Sequence, residues 1–125
     1  MGIDMTEDRK TLKFAPGPRL TLAAAQEGGG IAATVRYQDE RGIEAGDSID
    51  LLTARDGTKF GEATVTKVVE TEVYRAPDVI RRNRAVYGNM MVDTLLRKLN
   101  EYYDDLISPT TAVKVILLEC HTNDV

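Results

Sequence analysis

Apolar and polar residues alternate along several short stretches of this chain, and a period of two is typical of β-strands with one buried face. Residues 11–15 alternate in this way over a short stretch, and the first convincing strand follows three consecutive glycines, Gly28 to Gly30. Near the C-terminal end an apolar-rich run favours a buried closing strand. The predicted strands cover residues 11–15, 31–38, 48–53, 60–74 and 111–120.

Two local signals shape the middle of the predicted sheet. Asp56-Gly57 is the dipeptide of a tight hairpin and is expected to join strands 48–53 and 60–74. In the second of these strands Val65 and Val68 fall on opposite faces, so the inward face switches along it. Such a switch indicates a β-bulge.

Helix-forming patterns occur in three other stretches. Alanines and leucines favour a first helix over residues 19–27, before the glycines. A second helix is predicted from Pro77, which suits the first turn, to Val86. A third helix is expected to start after Asn89, a good cap, and to continue to about Leu106 with apolar residues at helical spacing.

The order of these elements predicts an α+β domain with a mostly antiparallel sheet. The sheet is expected to curl into a small β-barrel with about three flanking helices. A chain of 125 residues is long enough to bury one core without disulfide or metal staples. We expect residues 1–10 to be a flexible N-terminal segment, 11–121 a single domain and 122–125 a C-terminal tail.

Composition narrows the class of protein. The chain is 42% apolar and 29% charged, with a net charge of −4, which is typical of a soluble globular protein. No apolar run is long enough to cross a bilayer, and residues 1–10 lack the apolar core of a signal peptide, so the expected location is the cytoplasm, with no membrane partner. The single cysteine, Cys120, excludes an intramolecular disulfide. The chain contains no metal-binding or cofactor motif, so neither a metal nor a cofactor is expected.

Thr34 and Arg36 form the first candidate site. They lie two positions apart on the strand after the glycines, so their side chains share one face. A hydroxyl and a guanidinium in that arrangement could hold a phosphate or a polar heterocycle. The alternative is an ordinary strand with a polar outer face.

A second candidate is the arginine-rich segment of the second predicted helix. Arg81, Arg82 and Arg84 lie close together there, and Tyr87 follows them. Arginine binds phosphate through paired hydrogen bonds and stacks on bases, so the segment is a candidate nucleic-acid surface, with Tyr87 placed to stack on an unpaired base. The alternative is a solvated helix face with the arginines balanced by acids such as Asp78.

Taken in order, these features resemble the ASCH branch of the PUA-like superfamily. Family members show Gly-x-Lys-x-x-Thr-x-Arg entering a strand, a Gly-Asp turn, an apolar-Gly-x-Ala-x-Val strand and a closing apolar strand. The matching residues here are Gly29, Ile31, Thr34 and Arg36, then Gly46-Asp47, then Phe60 to Val65, then Val113 to Glu119. The resemblance covers residues 12–120. It implies a β-barrel with flanking helices, a cleft beside the Thr34 strand, and binding of RNA or modified nucleosides, with hydrolysis in some members.

The resemblance also bears on catalysis. A hydrolytic subgroup of this fold uses the motif lysine, the motif threonine and a later glutamate to cleave an amide of an acylated cytidine. Here Ile31 replaces the lysine, and the glutamate position falls near Asn89, where residues 87–92 contain no acid. A threonine hydroxyl needs a neighbouring base to become a nucleophile, and isoleucine cannot supply one. No catalytic residue is therefore assigned, unless Lys13 enters the cleft.

The preferred interpretation is a non-catalytic ASCH/PUA-like module that binds RNA or a nucleotide beside Thr34 and Arg36. The further predicted contacts are Arg81, Arg82, Arg84 and Tyr87. One alternative is a hydrolase, of the amidohydrolase or ribonuclease type, acting on a modified nucleoside or RNA. Another is a protein-interaction module of viral or mobile-element origin that acts on a host protein. The sequence leaves the oligomeric state open.

Overall fold

The computed structural model describes residues 10–14, 31–37, 42–83, 92–103 and 106–120. In chain order these residues form β1 (Lys10–Phe14), β2 (Ile31–Arg36), β3 (Ser48–Thr53), β4 (Lys59–Glu72), α1 (Ala76–Arg82), α2 (Val92–Tyr102) and β5 (Ala112–Cys120). A 3₁₀ turn, Val73–Arg75, joins β4 to α1. The five predicted strands are confirmed with small shifts of their ends. The predicted helix 19–27 and the cap at Asn89 lie outside the described residues.

The strands form one mixed sheet in the order β1-β3-β4-β5-β2. β1 pairs with β3 in parallel, and the other three pairs are antiparallel. The sheet is not closed into a barrel, because within the described strands β1 and β2 are edges that do not pair with each other. The predicted α+β class is confirmed. The barrel and the count of about three helices are not confirmed, since the described part of the chain holds an open sheet and two α-helices.

Apolar side chains pack into two clusters, one on each face of the sheet. The strand cluster contains the buried residues Leu12, Phe14, Ala32, Ile43, Ile49, Leu51, Ala63, Val65, Ile116 and Leu118. The helical cluster lies between the sheet and the helices and contains Ala33, Val35, Val73, Ala76, Ile80, Leu95, Leu99, Ile107, Val113, Val115 and Leu117. Along β5 successive residues alternate between the two clusters, so this strand is buried on both faces, as its apolar run predicts.

The predicted bulge in β4 lies at Thr66. The register against β5 shifts between Val65 and Lys67, which leaves Thr66 as the extra residue. Its hydroxyl donates a hydrogen bond to the Leu117 carbonyl over 3.2 Å. Val65 belongs to the strand cluster, and after the shift Val68 packs against the same cluster although it lies an odd number of positions later. The extra residue exchanges the two faces of the strand and so keeps its apolar side chains inside.

The Gly46-Asp47 turn leads into β3 and is hydrogen-bonded to β1 and β4. Gly46 has a φ of 94°, which glycine adopts without strain. Its N–H donates to the Val65 carbonyl over 2.7 Å, and the Val65 N–H donates to the Asp47 carbonyl over 2.9 Å. The Asp47 carboxylate accepts hydrogen bonds from Lys10 Nζ and the Glu44 N–H, both at 2.7 Å. These bonds lower the pKa of Asp47, with the Lys10 bond as the main cause.

Candidate functional site

Arg36 bridges the opening between the two edges of the sheet. At the end of β2 its Nη2 donates a hydrogen bond to the Lys13 carbonyl of β1 over 2.9 Å. Its guanidinium carbon lies 4.8 Å from the centre of the Phe14 ring, within the range of a cation–π contact. Phe14 is buried and meets Phe60 edge to face, with 6.2 Å between ring centres. A charged side chain therefore spans the opening between β1 and β2, and aromatic rings support it.

Thr34 orients the same guanidinium. Arg36 Nε donates a hydrogen bond to Thr34 Oγ1 over 3.0 Å, with both side chains on one face of β2 as strand alternation predicts. Thr34 is only 6% exposed, whereas Arg36 is half-buried. Of the two side chains, the arginine is the one that reaches solvent.

Among the described residues, no general base lies next to the Thr34 hydroxyl. The described partner of this hydroxyl is the Arg36 side chain, which has hydrogen-bond donors only and cannot take up a proton. Ile31 packs against the helical cluster, so it points to the face of β2 opposite Thr34. Lys13 is exposed and adjacent to buried Phe14, so its side chain points away from the guanidinium. The structure therefore brings neither residue 31 nor the Lys13 amine to the hydroxyl.

The arginine-rich helix lies on the other side of the sheet. α1 places Ala76 and Ile80 in the helical cluster, together with Val35 of β2. Thr34 and Arg36 alternate with Val35 and point to the opposite face. The sheet thus lies between Arg36 and the two described arginines of this group, Arg81 and Arg82.

Arg81 and Arg82 are both exposed on α1. Arg81 Nη1 forms an ion pair of 2.7 Å with Asp78. Arg82 forms no ion pair with any residue that the structure describes. Arg84 and Tyr87, the other two predicted contacts, lie outside the described residues.

Phe14 is a site residue that the sequence did not single out. The alternation in residues 11–15 indicates a strand with a buried face, and Phe14 is buried as that pattern predicts. Its contact with Arg36 joins two edge strands that are distant in the sequence. No local pattern encodes such a contact, so only the folded sheet could reveal it.

Comparison with solved structures identifies the fold. ASCH from Zymomonas mobilis matches with a TM-score of 0.58 at 12% identity, over 90% of this chain and 67% of that one. Hypothetical protein PH0355 matches with a TM-score of 0.57 at 14% identity, over 90% of this chain and 98% of that one. Protein EF3133 from Enterococcus faecalis V583 has a TM-score of 0.50 at 12% identity, over 93% and 80% of the two chains. The chain therefore has an ASCH-like fold, as its motifs predicted.

Comparisons at the level of sequence identify no relative of this chain. No protein-family model and no curated protein matches the chain. Within the described ranges, no helix has the length and apolar character that crossing a membrane requires. The same ranges hold no group of three or more His, Cys, Asp or Glu side chains that could bind a metal ion.

Proposed function

We propose that this protein is a non-catalytic ASCH/PUA-like module that binds RNA or a nucleotide at the opening between β1 and β2. The observation that carries the proposal is the position of Arg36, which is half-buried against Phe14 and hydrogen-bonded to Thr34 and to the Lys13 carbonyl. A guanidinium held in this way can stack on a base and attract a phosphate. A nucleotide carries both a base and a phosphate.

The packing around Arg36 favours tight binding because it orders the side chain before a ligand arrives. A long, flexible side chain loses rotamer freedom when it binds, and a side chain that is already held loses less. Thr34 and Phe14 hold the guanidinium from two directions. Partial burial also strengthens its attraction to a phosphate, since the surroundings screen charge less than water does.

The ASCH-like fold supports the same class of ligand, because the resemblance to ASCH domains implies binding of RNA or modified nucleosides. In this proposal the α1 side of the molecule contributes contacts to longer RNA. Those contacts are Arg81, Arg82, Arg84 and Tyr87. Binding is favoured over hydrolysis because the described partner of the Thr34 hydroxyl is an arginine rather than a base.

Fluorescence anisotropy with short single-stranded RNAs tests the proposal. Arg36→Ala is expected to weaken binding about tenfold, or by about 1.4 kcal/mol, because it removes a hydrogen bond to a charged group. Arg36→Lys keeps the charge and loses the planar fork, so its affinity is expected to lie between those of the parent chain and Arg36→Ala. Melting curves of each variant show whether the fold is retained.

Arg55→Ala is the matched control, because Arg55 is exposed in the β3–β4 turn and forms no ion pair with a described residue. Its RNA affinity is expected to equal that of the parent chain. The proposal fails if the parent chain binds no RNA at low salt, or if folded Arg36→Ala binds as well as Arg55→Ala.

A further inference from the structure

We infer that the outward side of α1 and the 3₁₀ turn before it form a second RNA-contacting surface, which follows the backbone of a single strand independently of Arg36. This α1 surface consists of Tyr74, Arg75, Arg81 and Arg82. The inference rests on the proposed function and specifies its ligand as a polymer, because a single nucleotide cannot reach both surfaces.

Tyr74 and Arg75 form an exposed stacking pair. The guanidinium carbon of Arg75 lies 5.3 Å from the centre of the Tyr74 ring. Arg75 Nε donates a hydrogen bond to the Tyr74 hydroxyl over 2.9 Å. Tyr74 is 41% exposed, and it is one of two large apolar or aromatic residues in the described ranges that are exposed to this degree. An aromatic ring and a guanidinium in contact offer a flat surface to an unpaired base.

The backbone beneath this pair is held in place. Val73 and Ala76, on either side of the pair, are fully buried. The Val73 N–H donates to the Thr111 carbonyl over 3.1 Å, and the Tyr74 N–H donates to the Pro109 carbonyl over 3.0 Å. Because the turn is already ordered, a base that stacks on Tyr74 need not order the backbone.

The arginines of α1 extend the surface along the helix. Arg75 and Arg82 lie on the same side as Asp78, because these positions recur at helical spacing. The opposite side carries the buried residues Ala76 and Ile80.

The ion pairs on this surface are exposed and leave it a net positive charge. Arg75 lies 3.5 Å from Glu72, and Arg81 lies 2.7 Å from Asp78. Exposed pairs of this kind contribute about 0–1 kcal/mol, so a phosphate can replace the carboxylate. Arg82 adds a positive charge and forms no ion pair with a described acid.

The sheet and the helical cluster separate the α1 surface from Arg36. A helix with its side chains is about 10 Å across, and a packed layer adds about 10 Å. A single nucleotide is too short to span that thickness. A strand of several nucleotides can contact the α1 surface by itself or pass around the sheet to Arg36.

Two probes distinguish binding at the α1 surface from binding at Arg36. The first is a fluorescein-labelled oligouridylate of about 12 nucleotides, whose binding is measured by anisotropy. The second is UMP, whose binding is measured by calorimetry. Tyr74→Ala is expected to weaken oligouridylate binding about tenfold, because it removes a stacking surface. Arg75→Ala and Arg82→Ala are each expected to lower the slope of log affinity against log salt by about 0.7. All three are expected to leave UMP binding unchanged, and Arg55→Ala is expected to change neither measurement.

The possible outcomes distinguish this inference from the proposed function. If oligouridylate binding depends on Arg36 and is unchanged in the three α1 variants, this inference is overturned together with the Arg82 contact to longer RNA, whereas the proposed binding at Arg36 stands. If the α1 variants lose UMP binding, the independence of the two surfaces is overturned. If the parent chain binds neither probe at low salt, this inference and the proposed function fail together.

Discussion

Two carboxylates, those of Asp47 and Asp56, hold the turns at the two ends of β3. Asp56 accepts hydrogen bonds from the Thr53 hydroxyl and from the Thr58 N–H, the latter over 3.1 Å. These bonds lower the pKa of Asp56 to about 2, with the Thr53 hydroxyl as the main cause. Gly57 follows with a φ of 74°, which favours glycine at this position of the turn.

Asp56 is expected to contribute to the acid sensitivity of the fold. Its pKa in the folded chain is lower than the ordinary 3.8, so its ionised form favours folding above pH 3.8. That contribution is lost as the pH falls through about 2. Asp56→Asn removes the titration, so its melting temperature is expected to fall less steeply than that of the parent chain in this pH range.

The control is Glu119→Gln, which replaces an exposed carboxylate on β5, away from a helix end. We expect its melting temperature to follow that of the parent chain with pH. If the melting temperature of Asp56→Asn falls as steeply with decreasing pH as that of the parent chain, ionisation of Asp56 does not stabilise the fold.

Among the secondary-structure elements, β5 joins the two apolar clusters. It pairs with β4 on one side and with β2 on the other. Leu118 enters the strand cluster, and Leu117 enters the helical cluster. A strand buried on both faces has no side that can remain polar, which is why the sequence of β5 is a nearly continuous apolar run.

Truncation of either leucine is expected to be costly. Leu117→Ala and Leu118→Ala should each lower the free energy of unfolding by about 2–5 kcal/mol, because each leaves a cavity in a packed cluster. Urea denaturation measures both values. Glu119→Ala, at an exposed position on the same strand, is the control and should change the free energy by no more than about 0.5 kcal/mol. A leucine variant as stable as the control would show that its face of the sheet is not a packed layer.

In the whole molecule, the sheet lies between Thr34 and Arg36 on one face and the described α1 arginines, Arg81 and Arg82, on the other. Thr34 and Arg36 lie on the side of the strand cluster. Ile31 and α1 lie on the side of the helical cluster. The side chain at the position of the motif lysine therefore points to the face of β2 opposite the Thr34 hydroxyl.

Restoring the lysine is consequently expected to restore no activity. Ile31→Lys should release no more product from an acylated cytidine than the parent chain does, as measured by chromatography. Its side chain starts on the face opposite the Thr34 hydroxyl and cannot take up the proton of that group. Activity that appears in Ile31→Lys and disappears in Ile31→Lys/Thr34→Ala would contradict this placement.

By itself the sequence determined the strands, the Asp56-Gly57 turn, the presence of a bulge in β4 and the shared face of Thr34 and Arg36. These features depend on residues that are close together in the sequence. The strands, the bulge and the shared face follow from a period of two, and the turn follows from its dipeptide. The tertiary structure alone decided the order of the strands, the parallel pairing of β1 with β3 and the opening between β1 and β2. It therefore also decided that Phe14 contacts Arg36 and that the α1 arginines lie behind the sheet. Such contacts join segments that are distant in the chain, and a local pattern specifies which face of a strand is buried but not which strand lies beside it.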